Sequence, residues 1–210
     1  MDTIEKIKKA YIEYFLESDK KPSSVYLLCK KAKIKEDEFY EHFNSTEGID
    51  QKIWLDFFEE TRHKIEQDEV YSGYSVREKV LAFYYTLVEV LKAERSFVLM
   101  CYEGLPRMAP QPPFLKELKP VFHEFIENLI MEGRETQEIA ERPALLMDNY
   151  SRIFWWQLLL VTRFWVNDTS KSFEKTDVYI EKAVNFAFDT MGKTSLDSAF
   201  DFAKFAFQNR

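Results

Sequence analysis

The sequence predicts an all-α protein with a bulky core. Its 210 residues are 46% hydrophobic and 16% aromatic, which is too apolar for a disordered chain. Apolar residues recur at steps of three and four, the period of a helix with one buried face. The five glycines, at 48, 73, 104, 133 and 192, fall close to where that period breaks. The aromatic excess fits either a close-packed helical core or an internal cavity and large interfaces.

The first helix is predicted over residues 3–18. Its apolar face consists of Ile4, Ile7, Tyr11, Tyr14 and Phe15. Charges recur every few residues in this stretch, so no secretory signal is expected and the protein is expected in the cytoplasm.

The segment Pro22–Gly48 has the spacing of a helix-turn-helix. Ser23 or Ser24 supplies the helix start, because a serine hydroxyl can accept from free first-turn amides. Val25, Leu28 and Ala32 mark one apolar face of the first of the two helices. After a tight connection at residues 33–34, a second short helix carries Phe39, Tyr40 and Phe43. This second helix would be the reading helix.

These residues resemble the DNA-binding domain of the TetR family of bacterial transcriptional regulators. That family carries Val-x-x-Ile-Ala-x-x-Ala-Gly-Val, then Leu/Phe-Tyr-x-His/Tyr-Phe-x-Ser-Lys-Glu. The chain reads Val25-x-x-Leu28-Cys29-x-x-Ala32-Lys33-Ile34, then Phe39-Tyr40-Glu41-His42-Phe43-Asn44-Ser45-Thr46-Glu47. It departs from the pattern at three polar positions: Lys33 replaces the turn glycine, Lys35 the helix-starting serine, and Thr46 the phosphate-binding lysine.

The resemblance implies a three-helix DNA-binding head over residues 1–47 and a helical ligand-binding and dimerisation body over 48–210. It implies a homodimer on a palindromic operator. The head residues implied to contact DNA are Ser24, Lys33, Lys35, Tyr40 and His42.

The charge of the head opposes that role. The chain has a formal net charge of −7, and residues 1–50 carry nine lysines against eleven acids. The reading helix alone places Glu36, Asp37, Glu38 and Glu41 beside Lys35. Since phosphate neutralisation supplies most of the affinity for DNA, any binding is expected to be weak and salt-dependent.

Further helices follow the head. A long helix is predicted over residues 45–69, and Ser75 with Glu78 forms a capping box that opens the next one. A shorter apolar piece spans residues 96–102, and prolines make 106–113 a loop. In the helix predicted over 114–131, Pro120 marks either a kink or the true start.

The most apolar part of the chain, residues 143–166, predicts a helix that is buried nearly all round. It is too short to cross a membrane. With a helix over 172–191 it resembles the last two body helices of the TetR fold, which form a four-helix bundle in the dimer. The expected interface residues are Leu160, Phe164, Ile180 and Val184.

An apolar pocket is expected where the body helices converge. The residues expected to line it are Phe83, Tyr102, Phe122, Phe125, Trp155 and Trp156.

No catalytic motif is found, so neither an enzyme nor a cofactor is predicted. No metal site is predicted either, because His123-Glu124 lacks a second histidine, and the acids around His63 form a typical solvated face. The two cysteines, Cys29 and Cys101, do not form a disulfide framework, and a reduced compartment is expected.

The last sixteen residues, SLDSAFDFAKFAFQNR, predict an amphipathic helix that packs on the body or touches a membrane surface or lipid. Two functions therefore follow. One is a ligand-responsive regulator that binds DNA and an apolar small molecule. The other is a TetR-fold protein that has lost DNA binding and binds lipid or an isoprenoid, similar to the lipid-binding accessory protein of ubiquinone biosynthesis.

Overall fold

The computed structural model describes residues 2–106, 109–140 and 150–192. Within these ranges the chain forms α-helices and short 3₁₀ turns and has no strand, which confirms the all-α fold class. The helices are α1 Thr3–Ser18, α2 Val25–Ala32, α3 Glu36–Tyr40, α4 Glu47–Glu66, α5 Val76–Ala93, α6 Arg95–Tyr102, α7 Leu118–Glu135, α8 Tyr150–Val166 and α9 Glu174–Met191. The 3₁₀ turns are Tyr71–Gly73, Pro113–Leu115 and Lys171–Phe173.

The residues group into two compact units. The first comprises Met1–Lys64 and Thr86–Val121, and the second comprises Ile65–Tyr85 and Phe122–Arg210. The boundary expected between residues 47 and 48 lies inside the first unit and stays a prediction.

The core of the first unit is built on α1. This helix packs against α2 and α6, and its Tyr11 side chain is fully buried. Phe15 of α1 meets Phe97 of α6 edge to face, with ring centroids 6.1 Å apart. On α4, Trp54 stacks on Phe114 at 4.8 Å. Aromatic pairs at these distances stabilise beyond their buried area.

One carboxylate is buried in this core. Asp50 of α4 is 2% exposed and pairs with Lys21 through one oxygen. Burial, together with the negative charge of Asp50, raises the pKa of the Cys101 thiol to about 12. Cys101 therefore remains a protonated, unreactive core residue, and both cysteines are free and buried.

The capping box at the start of α5 is confirmed. The Ser75 amide donates to Glu78 Oε2 at 2.8 Å, and the Glu78 amide donates back to Ser75 Oγ at 3.3 Å. Hydrogen bonds from Ser75 lower the pKa of Glu78. α7 begins at Leu118, so Pro120 is its third residue and lies in the first turn, where amide groups have no acceptor within the helix and the missing N–H costs no helical hydrogen bond.

α8 is less buried than the sequence predicts. Phe154, Leu158 and Trp165 face the core, and α8 packs against α9. Ile153 and Trp156, however, are exposed large apolar residues on the opposite side. Hydropathy alone cannot separate these positions, because residues 153–161 are apolar except for Gln157.

The connection between α8 and α9 is organised by Asp168, a buried carboxylate. It accepts from the Ser170 amide at 2.8 Å, the Thr176 amide at 3.0 Å and the Thr176 hydroxyl at 2.6 Å. Burial alone would raise the pKa of Asp168, but the hydrogen bonds from Thr176 and Ser170 outweigh it and lower the pKa to about 2. The ionised carboxylate therefore anchors the first turn of α9.

We expect Asp168→Ala to lower the free energy of unfolding by about 2–4 kcal/mol at pH 7, because several hydrogen bonds to a buried charge are lost. The pKa of Asp168 lies below its unfolded value of about 3.9. The stabilisation is therefore full above about pH 4 and disappears as the pH falls toward about 2. Urea unfolding at several pH values measures this difference.

The matched control is Asp189→Ala, which removes an exposed aspartate paired with Arg77. Such exposed pairs contribute about 0–1 kcal/mol. An Asp168→Ala cost no larger than this control, or one that is independent of pH, would contradict the anchoring role.

Candidate functional site

The turn between α2 and α3 has the geometry of a helix-turn-helix. Ser24 is the N-cap of α2, and its hydroxyl accepts from the Leu27 amide at 3.3 Å. Lys33 ends the helix in the left-handed region, at φ 56°. This is the position of the family's turn glycine. A lysine in this backbone conformation costs about 1 kcal/mol more than glycine, because its Cβ crowds the following carbonyl oxygen.

α3 is short and is anchored by one ring. Phe39 is fully buried and lies against Phe43 with centroids 5.9 Å apart. Tyr40 and His42, which follow it, are exposed. The buried ring therefore fixes the direction in which the two polar side chains reach solvent.

All five residues implied to contact DNA are exposed: Ser24, Lys33, Lys35, Tyr40 and His42. Lys33 and Lys35 lie between α2 and α3, and Tyr40 is the last residue of α3. Ser24 and His42 flank the two helices. Phosphate recognition needs hydroxyl, amide and cationic groups of this kind. The exposure is compatible with DNA contact.

The electrostatics of this surface are mixed. Lys33 and Lys35 form no ion pair with any residue that the structure describes, whereas Lys31 is paired with Glu17 at 2.6 Å. Against them stand Glu36 and Asp37, both exposed in the first turn of α3. The helix N-terminus favours these acids locally, yet they repel a phosphate backbone.

Two acids of α3, Glu36 and Glu38, also affect the buried thiol of Cys29. The pKa of the Cys29 thiol is raised by burial first and then by the charges of Glu36 and Glu38. Glu38 is only half-exposed. The sequence could not reveal this, because Cys29 and Glu38 belong to different helices.

In the second unit, four of the six expected pocket residues come together. Phe83 lies 5.1 Å from Phe125 and 5.9 Å from Phe122, and Phe122 lies 5.9 Å from Trp155. His123 stacks over Trp155 with centroids 6.0 Å apart. We call Phe83, Phe122, Phe125 and Trp155 the ring cluster. Sequence reasoning missed the contact of His123, which depends on how α7 packs against α8.

The other two expected pocket residues are Tyr102 and Trp156. Tyr102 belongs to the first unit, where its ring lies 5.3 Å from Phe114 and 6.0 Å from Trp54. Trp156 is exposed on α8. No contact of either residue with the ring cluster is seen among the described residues, and their place in a ligand pocket stays a prediction.

The four expected interface residues differ in their exposure to solvent. Leu160 is 39% exposed, and Phe164 is half-buried and stacked on Tyr179 at 4.4 Å. Ile180 and Val184 are fully buried within the single chain, and their place in a dimer interface stays a prediction. The exposed apolar residues of α8 and α9 are Ile153, Trp156, Leu160, Val178 and Phe186. We call these five the apolar stripe.

Two further expectations concern membranes and metals. The C-terminal helix expected to touch a membrane lies outside the described residues. Among the helices that are described, none has the length and apolarity to cross a bilayer. The face around His63 is occupied by ion pairs, Arg62 with Glu59 at 3.9 Å and Lys64 with Glu60 at 2.7 Å.

Comparison with known proteins identifies the family of the chain and relatives of its fold. Residues 79–206 match the family model described as "Tetracyclin repressor-like, C-terminal domain". No curated protein sequence matches the chain significantly.

Solved structures share the fold. A protein described as a TetR-family transcription regulator from Shewanella sp. PV-4 aligns with a TM-score of 0.62 at 16% identity, over 92% of this chain and 100% of its own. A TetR-family transcriptional regulator from Syntrophomonas wolfei str. Goettingen gives 0.61 at 17%, over 90% and 92%. A regulatory protein in the TetR family from Rhodococcus RHA1 gives 0.52 at 12%, over 93% and 100%.

The family match covers more than half of the chain, and the head and body helices are those of that fold. The protein therefore belongs to the TetR family of transcription regulators.

Proposed function

We propose that this protein binds a palindromic DNA site as a homodimer and responds to an apolar small molecule held in its body. The observation that carries the proposal is the helix-turn-helix, in which buried Phe39 holds Tyr40 and His42 outward beside Lys35. Members of the family bind DNA and dimerise, and they are generally not enzymes. A regulator of this kind acts in the cytoplasm, where the DNA is.

Contacts to phosphates would come from Ser24, Lys33, Lys35, Tyr40 and His42. Such contacts set position and register without reading sequence. Because α3 is only five residues long and opens with three acids, few cations contribute to the affinity. We therefore expect DNA binding to be weak and to need low salt to be measured.

The dimer is supported by the apolar stripe. Ile153, Trp156 and Leu160 follow one another at steps of three and four, so they share one face of α8. Large apolar side chains left together on a surface typically mark a protein interface. Two copies of α8 and α9 would cover each other's stripes as a four-helix bundle.

The ligand site is supported by the ring cluster. Its ring centroids lie 5–6 Å apart, and its mostly buried side chains form an apolar, polarisable group on which His123 stacks. This composition suits a fatty-acid chain, an isoprenoid or an aromatic molecule.

The alternative function is lipid binding without DNA. Exposed Glu36, Asp37 and Glu41 on the reading helix favour it, since carboxylates that face a phosphate-walled groove are repelled. The two functions share a body and differ in the head. The test must therefore measure DNA directly.

The experiment selects duplexes from a random-sequence library with the purified protein at low salt, then titrates the complex with fatty acids, isoprenoid alcohols and aromatic drugs. We expect enrichment of a palindrome and its release by one ligand class. Tyr40→Ala should lose the enrichment, while Tyr85→Ala, an exposed tyrosine of the body, should keep it. Ligand binding with no enriched duplex would favour the lipid-binding alternative.

A further inference from the structure

A groove of about 550 Å³ lies within the first unit, among α1, α4 and the C-terminal end of α5. Its walls are formed by apolar side chains from all three helices: Ile12, Leu16, Ile53, Phe57, Val90 and Ala93. The volume is in the range of small-molecule sites. None of the residues of the ring cluster contributes to it, so it would be a second and separate site.

The charges at the groove are mostly paired within the protein. Lys8 pairs with Glu5 and with Asp56, the latter at 2.5 Å. Burial acts to lower the pKa of Lys8, but hydrogen bonds to Asp56 and Glu5 outweigh this and raise it. Lys8 thus stays charged and is already paired with carboxylates, and Lys9, an exposed lysine on the same groove, is outnumbered by the five acids that line it.

Glu94 differs from the other acids of the groove. It is half-buried where α5 gives way to α6, and its side chain makes no capping hydrogen bond to α6. It forms no ion pair with any residue in the described ranges. Glu13, on the facing helix α1, forms only a long ion pair, in which its carboxylate lies 4.0 Å from the Lys31 ammonium. A half-buried carboxylate beside apolar walls favours a cation over any other ligand.

We propose that this groove binds an amphiphilic organic monocation. Its ammonium group lies at Glu94 and its hydrocarbon chain covers Leu16 and the apolar walls. The groove is lined by α1, α4 and α5. A bound ligand therefore contacts all three helices and holds α1 against the other two. The proposal is independent of whether the head binds DNA.

The experiment is isothermal titration of the full chain with decyltrimethylammonium below its micellar concentration, compared with decyl sulfate, which has the same chain length and the opposite charge. We expect a dissociation constant on the order of 0.1–1 mM for the cation. Binding of the sulfate should be at least tenfold weaker.

Three variants locate the site. Leu16→Lys places a cation in the groove and should weaken binding of the cation at least tenfold, and Glu94→Gln should weaken it about three- to tenfold. Leu27→Lys is the matched control, since Leu27 is 37% exposed, Leu16 is 40% exposed, and Leu27 does not line the groove. Equal affinity for both amphiphiles, or unchanged affinity in both folded groove variants, would overturn the proposal.

Discussion

Leu160→Glu is expected to convert the proposed homodimer into a folded monomer. Leu160 belongs to the apolar stripe and is already 39% exposed, so a glutamate there is solvated in the single chain. In a two-fold interface each copy contributes the same position, and two carboxylates would be buried together. Burying charges without partners costs about 3–5 kcal/mol, which raises the dissociation constant by at least a hundredfold.

Sedimentation velocity measures this result as a shift toward the 25.1 kDa monomer. Leu99→Glu is the matched control, because Leu99 is 38% exposed and lies on α6, outside the stripe. Phe186→Glu, at a position 75% exposed on α9, should act like Leu160→Glu. If both stripe variants remain dimeric and helical, the interface lies elsewhere.

The second large effect concerns the acids of the reading helix. The triple variant Glu36→Gln, Asp37→Asn, Glu38→Gln is expected to raise non-specific DNA affinity about ten- to a hundredfold at low salt. Each removed carboxylate relieves about 0.5–1 kcal/mol of repulsion from nearby phosphates in a water-like dielectric. The gain should fade as salt is added, because screening shortens the range of that repulsion.

A mobility-shift assay over a series of salt concentrations measures the gain. The control variant carries the same charge change on the body, as Glu124→Gln, Glu127→Gln, Glu174→Gln, all at exposed positions. Tyr40→Ala and Lys35→Ala should weaken binding in either background. If neither the parent nor the neutralised head binds at low salt, the regulator proposal gives way to lipid binding.

The sequence alone was sufficient for the features that depend on nearby residues. The capping box of Ser75 and Glu78 forms within one helical turn, so its residues predict it directly. The helix-turn-helix core likewise depends on short spacings, and Leu28 and Phe39 are both fully buried as expected. The family resemblance, carried by these same local positions, is confirmed by the family match and the fold.

Tertiary structure decided which apolar face meets which neighbour. Helical periodicity predicts that Ile180 and Val184 share a face of α9, and the fold buries that face within the chain while Val178 and Phe186 are exposed. On an apolar helix both faces satisfy the same pattern. Only the packing of α8 on α9 determines which of them is covered.

Tertiary structure also decided the neighbours of Tyr102. The ring of Tyr102 contacts the rings of Trp54 and Phe114. The three residues are far apart in the sequence, and no local spacing indicates that they meet. The unpaired Glu94 beside the groove is also a product of three helices coming together. Hydrophobic burial is non-directional, so the sequence predicts that such residues are buried, while shape complementarity between helices selects their partners.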